Sequence, residues 1–135
     1  MRTRYVLFGT TVLLISGMAE SAEWLRIGRS QDRKVEVFVD VTSIRAERTI
    51  RRALTKYDYA QRSQEVAGHD RAKWIDYSQF RKVFNCAEEM SKTEAITLYL
   101  EDGTTESVPA ELDPEPWKPV APNTLAHVEM KFVCS

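Results

Sequence analysis

Residues 35–40 read VEVFVD, with Phe38 between valines at alternate positions. A β-branched run with a two-residue period is the signature of a strand lying on a core. Val35, Val37 and Val39 then share one face and Phe38 stands on the other. This reading makes the chain sheet-based, and the segments on either side follow from the same rule.

Upstream, Trp24 to Ile27 is a short apolar segment closed by Gly28, and residues 29–33 are a polar turn into residues 35–40. Downstream, Asp40 to Ile44 predicts a brief turn or a single helical turn, with Asp40 or Thr42 capping its free backbone donors. Residues 49–59 form the next strand candidate, with Ala53, Thr55, Tyr57 and Tyr59 on one side. Residues 60–73 are polar, contain Gly68 and show no period, which predicts a long loop.

Residues 74–86 give the longest strand candidate, with Trp74, Phe80, Phe84 and Cys86 on one side and Ile75, Tyr77 and Val83 on the other. Residues 95–100 alternate again, and Asp102-Gly103 is a two-residue hairpin turn into residues 104–108. The result is a meander of about six strands. All five prolines fall between Pro109 and Pro122. Each lacks a backbone donor, so this stretch is an extended strap, with Trp117 as its apolar anchor. The last segment is open to two readings. Asn123-Thr124 can cap a helix with a Leu125, Val128 and Phe132 stripe, but Val128, Met130, Phe132 and Cys134 also alternate as a strand does.

The N-terminus has the form of an export signal. Arg2 and Arg4 precede an apolar run from Tyr5 to Ile15, interrupted only by Gly9, Thr10 and Thr11. That run is too short to span a bilayer, which takes about 20 helical residues. Residues 1–21 are expected to be a cleaved signal peptide, cut after Ala19 or Ser21, leaving one domain over residues 23–135. No cysteine follows the apolar run, so no lipid anchor is expected there.

Exported proteins meet an oxidising environment, in which an even pair of cysteines pairs. The chain has two, Cys86 and Cys134. A bond between them would close a long loop and stabilise the fold by about 4 kcal/mol. The sequence has no Cys-x-x-Cys, no zinc-type spacing and only two histidines, which argues against a catalytic or metal-binding thiol.

Charge is unevenly spread. Residues 26–82 carry fourteen basic and eight acidic residues, whereas residues 88–131 carry three and ten. The candidate contact for a polyanion or acidic partner is Arg45, Arg48, Arg51, Arg52 and Lys56. The plainer account of the same residues is a solvated face partly neutralised by Glu47 and Asp58. Nothing favours an enzyme: there is no Gly-x-Ser-x-Gly, no His-Glu-x-x-His and no phosphate-cradling glycine loop. His69 falls in the polar loop, and His127 would face away from the apolar stripe. No catalytic residue, metal or cofactor is expected.

Several stretches together resemble the bacterial surface-adhesin protein E-like domain family. They are EWLRIGRS, VFVDVTSI, the strand end VFNC and the run EPWKPVAPNTLAHVEMKFVC, and they cover roughly residues 23–135. Asn123 departs from the pattern, since family members commonly carry Gly there. The resemblance implies an α+β single domain: a curved antiparallel sheet of about six strands, with a C-terminal helix held on it by a Cys86–Cys134 disulfide. It also implies an exported binding domain, periplasmic or at the cell surface, with a host matrix or envelope macromolecule as partner and a homodimer as a further expectation. No nucleic-acid partner and no membrane span are expected. The alternative function is a soluble periplasmic inhibitor or envelope accessory protein that uses the loop at 60–73 as its contact.

Overall fold

The computed structural model describes residues 21–63, 74–108 and 116–135. The expected signal peptide and parts of the polar loop and the proline strap lie outside them. The described residues form a curved antiparallel sheet with one helix on one side. Its strands are β1 (Trp24–Arg29), β2 (Val35–Asp40), β3 (Arg45–Glu47), β4 (Ile50–Ser63), β5 (Ile75–Asn85), β6 (Met90–Leu100), β7 (Thr105–Val108) and β8 (Lys118–Pro119), and the helix is α1 (Leu125–Val133). The main path runs β1-β2-β4-β5-β6-β7, with β3 joined to β4 and β8 to β6. This is the expected six-stranded meander, extended by two short strands.

Residues directly paired across an antiparallel ladder point to the same side. Val37 pairs with Tyr57 and Val39 with Thr55, while Thr55 pairs with Phe80 and Arg51 with Phe84. One side of the sheet therefore carries Val37, Val39, Ala53, Thr55 and Phe84, all buried. Met130 and Val133 of α1 pack on this side against Val39, Ala53 and Phe84. A second apolar group, Ile75, Leu98 and Leu100, fills the far end of the same side against Tyr59, Ile96 and Val108.

The turns follow local chemistry. Asp40 caps the single 3-10 turn Val41–Ser43 by accepting from the Thr42 backbone N–H. It also accepts from the Thr42 hydroxyl at 2.7 Å and the Glu23 N–H at 3.0 Å. Burial works to raise this carboxyl, but those hydrogen bonds and the nearby Arg45 outweigh it and hold it below the usual value. Between β6 and β7, Gly103 takes φ 84° and its N–H reaches Leu100 O at 3.0 Å. Asn123, before the helix, has φ 62°. That is the left-handed region, where Gly and Asn are the easiest residues to place.

Several expectations need correcting. β4 runs on to Ser63, so residues 60–63 are strand, and the rest of the expected loop, 64–73, lies outside the described residues. Trp74 precedes β5 and is exposed, and Cys86 follows its end. Ile75 does not share a side with Tyr77. Ile75 pairs with Leu100 and Tyr77 with Tyr99, so β5 carries an extra residue at Asp76, and the bulge turns Ile75 towards the helix side. The last segment is helical, with Thr124 as its cap and a side-chain oxygen accepting from His127 N–H at 3.2 Å. Its buried positions are Glu129, Met130 and Val133, whereas Leu125, Val128 and Phe132 are only half-buried. The helix ends at Val133, so Cys134 is free to turn back to the sheet.

Candidate binding face

The disulfide closes as expected: Cys86 and Cys134 are bonded, with Cα atoms 5.8 Å apart, across 48 positions of sequence. The bridge fastens the end of α1 to the end of β5. Gly28 lets the other end of the helix come close, because a Cβ there would meet Val128 Cγ1 at 3.0 Å. Between these points the helix projects a carboxylate into the sheet. Glu129 is fully buried, Lys82 Nζ donates to its Oε2 at 2.8 Å, and the Tyr57 hydroxyl donates to Oε1. Lys82 Nζ also donates to the Tyr57 oxygen at 2.9 Å. Burial pushes the Tyr57 phenol well above its ordinary value, and the Glu129 charge and hydrogen bond push the same way. This closed triad locks the helix in place and leaves no group free for a substrate.

The groove beside the helix N-terminus is also self-satisfied. It is shallow, about 560 Å³, and is lined by Ser30, Asp32, Asn123, Thr124 and Val128 among others. Ser30 Oγ donates to Asp32, Asp32 accepts from Lys34 N–H, and Thr124 is spent as the helix cap.

Among the described residues, the other side of the sheet carries no helix, and it has a different composition. Trp24 pairs with Asp40, Arg26 with Phe38, Phe38 with Lys56, and Lys56 with Gln79, which places all of these on the open side. The same parity adds Tyr77 and Tyr99, which stack with ring centroids 4.3 Å apart. Lys56 Nζ sits over three rings: Phe38 at 4.7 Å, Trp24 at 4.9 Å and Tyr77 at 5.6 Å. Further along, Arg45 pairs with Arg52, Arg52 with Val83, and Val83 with Lys92. The Lys92 ammonium lies 4.8 Å from the ring of Trp117, the residue expected to anchor the strap. Ammonium groups held over aromatic faces gain about 0.5–1 kcal/mol at exposed sites and remain available at their outer edge.

The five basic residues picked out by sequence are thus divided. Arg45, Arg52 and Lys56 stand on the open side. Arg51 pairs with Phe84 on the helix side, and Arg48 occupies the β3–β4 turn with φ 55°. Arg45 and Arg51 use their guanidinium groups on nearby carbonyls, those of Thr42 and Arg48 among them. Arg52 is shared between Glu47 at 3.8 Å and Glu94 at 3.6 Å. Sequence reasoning missed Arg26, Arg81, Lys92 and the rings around them as parts of one surface. The period that put Phe38 opposite the valines contained the necessary signal, but strand order was needed to connect it across five strands.

The family model for surface-adhesin protein E matches residues 24–135. The chain belongs to the surface-adhesin protein E family. Its fold is shared with solved structures of Haemophilus influenzae protein E. One has a TM-score of 0.58 at 13% identity, covering 82% of this chain and 83% of that one. A second crystal form gives 0.58 at 12%, covering 82% and 86%. The protein from non-typeable Haemophilus influenzae gives 0.55 at 13%, covering 82% and 74%. At such identity the likeness concerns the fold alone. Comparison with curated proteins finds no match. Within this family, the described residues of this chain contain no helix long and apolar enough to cross a membrane.

Proposed function

We propose that this chain is an exported surface-adhesin-like protein that makes its contacts through the open side of the sheet. The observation that carries the reading is the asymmetry of the sheet in a chain of this family. One side is closed by α1, the disulfide and the buried Glu129–Lys82 pair, and the other presents half-exposed rings and basic side chains. Interfaces are enriched in Trp, Tyr and Arg, which bring large contact area and directional donors. The Arg2/Arg4 n-region and short apolar run support export, and the paired cysteines suit an oxidising compartment. A host extracellular matrix macromolecule is the partner class this reading favours.

The test is fractionation of the producing cells combined with protease challenge of intact cells. Loss of the protein to external protease, together with retention of the purified disulfide-bonded form on matrix proteins, is expected. Protection from protease in a soluble periplasmic pool would sink the adhesin reading and favour an envelope accessory role.

A further inference from the structure

The open side carries four basic side chains in a line. Arg26 and Lys56 share one cross-strand row with Phe38 between them. Arg81 follows two residues beyond Gln79, the partner of Lys56, and Lys92 pairs with Val83, two residues further still. Strands lie about 4.8 Å apart and rise about 3.4 Å per residue. Arg26, Lys56, Arg81 and Lys92 therefore step from β1 to β6 at intervals of about 8–10 Å on that lattice.

The acidic residues of this side are held chiefly by cations off the line, with Glu36 shared by Arg26, or form its border. Arg29 holds Glu36 at 2.6 Å, closer than Arg26 at 3.6 Å, and Arg52 holds Glu94 at 3.6 Å. Asp58, opposite Tyr77, lies one row to the side. No ion pair joins Lys56, Arg81 or Lys92 to a carboxylate among the described residues. Flat rings accompany the line, with Trp24, Phe38 and Tyr77 at Lys56 and Trp117 at Lys92.

A row of evenly spaced cations fits a linear polymer with an anionic group on each repeat better than it fits the compact patch of a folded acidic protein. Rings beside the cations offer apolar surfaces to the C–H faces of sugar rings, and Gln79 and Thr97 supply amide and hydroxyl groups in the Lys56 row. We propose that the open face binds a linear sulfated or carboxylated polysaccharide lying across β1 to β6 along Arg26, Lys56, Arg81 and Lys92. The proposal rests on the reading of this face as the contact surface and adds the class of its ligand.

The experiment measures retention of the disulfide-bonded protein on immobilised heparin, hyaluronan and neutral dextran at two salt concentrations. Retention on at least one acidic polymer, weaker at high salt, and none on dextran are expected. Lys56→Ala, Arg81→Ala and Lys92→Ala should each weaken binding about 3-fold, and together by more than about 10-fold, as exposed charge contacts do. Arg51→Ala, on the helix side, should leave it unchanged. The lysine variants keep their meaning only if thermal unfolding matches the parent; Lys56→Arg, which retains the charge, should restore retention in any case. Failure to bind either acidic polymer, or equal losses in the triple variant and Arg51→Ala, would overturn the proposal.

Attachment of producing cells to matrix with and without polysaccharide lyase treatment separates the two readings. Attachment that survives digestion yet falls in the triple variant would mean an acidic protein partner, ending the polysaccharide proposal but keeping the adhesin one. Attachment lost on digestion supports both.

Discussion

Lys82 Nζ lies 2.8 Å from Oε2 of Glu129, a carboxylate with no exposure to solvent. The two residues are 47 positions apart in sequence and join β5 to α1. Removing one member of such a pair strands the other as an uncompensated buried charge, at about 3–5 kcal/mol. Glu129→Gln is expected to lower stability by about 3 kcal/mol or more. The double change Lys82→Met with Glu129→Leu should recover much of that loss, since neither charge is then left alone. Urea unfolding of the parent and the two variants checks this; equal losses in the single and the double variant would contradict it.

Tyr57 donates to the same carboxylate, and its phenol is held protonated well above its ordinary value of 10.0. The folded state keeps this proton where the unfolded chain gives it up. Stability from this source is therefore complete below about pH 10 and falls as pH rises beyond it. Tyr57→Phe should flatten that alkaline decline while costing about 1–2 kcal/mol at neutral pH. Parallel alkaline unfolding curves for parent and variant would refute the assignment.

Thr55 is fully buried between Val39 and Phe80 in the ladder, and its Oγ1 has no hydrogen-bond partner among the described residues. An unpaired buried hydroxyl costs about 1–3 kcal/mol. Thr55→Val keeps the shape and removes the hydroxyl, so it is expected to raise stability by about 1 kcal/mol. A measured decrease would show that the hydroxyl is satisfied in solution.

The Cys86–Cys134 bridge spans 48 positions. Replacing both cysteines by Ser should lower stability by about 4 kcal/mol on the chain-entropy account. The parent treated with reductant should unfold at the same urea midpoint as the double variant. An unfolding midpoint indifferent to reductant would remove the bridge from the energetics.

Local patterning exposed most of the fold. The VEVFVD alternation placed Val37 and Val39 in the core, Asp102-Gly103 produced the β6–β7 turn, and Asp40 became the cap of a 3-10 turn. Three features escaped for specific reasons. A bulge at Asp76 breaks the period by one residue, so parity counted along the strand put Ile75 on the wrong side. The buried face of α1 contains Glu129, and a search for apolar stripes discards a carboxylate whose partners, Lys82 and Tyr57, are distant in sequence. The basic cluster was chosen by proximity along β3 and β4, whereas the surface it belongs to is read across strands. Arg51, next to Arg52, consequently faces away from it.

The bridge also determines where mechanical load would travel. A pull applied just beyond Cys134 crosses to Cys86 and so enters the end of β5, which is paired with β4 on one flank and β6 on the other. Tension is thereby routed past α1 into two ladders at once, and the helix is spared from being peeled away turn by turn. On the adhesin reading proposed above, that routing matters as much as the contact itself.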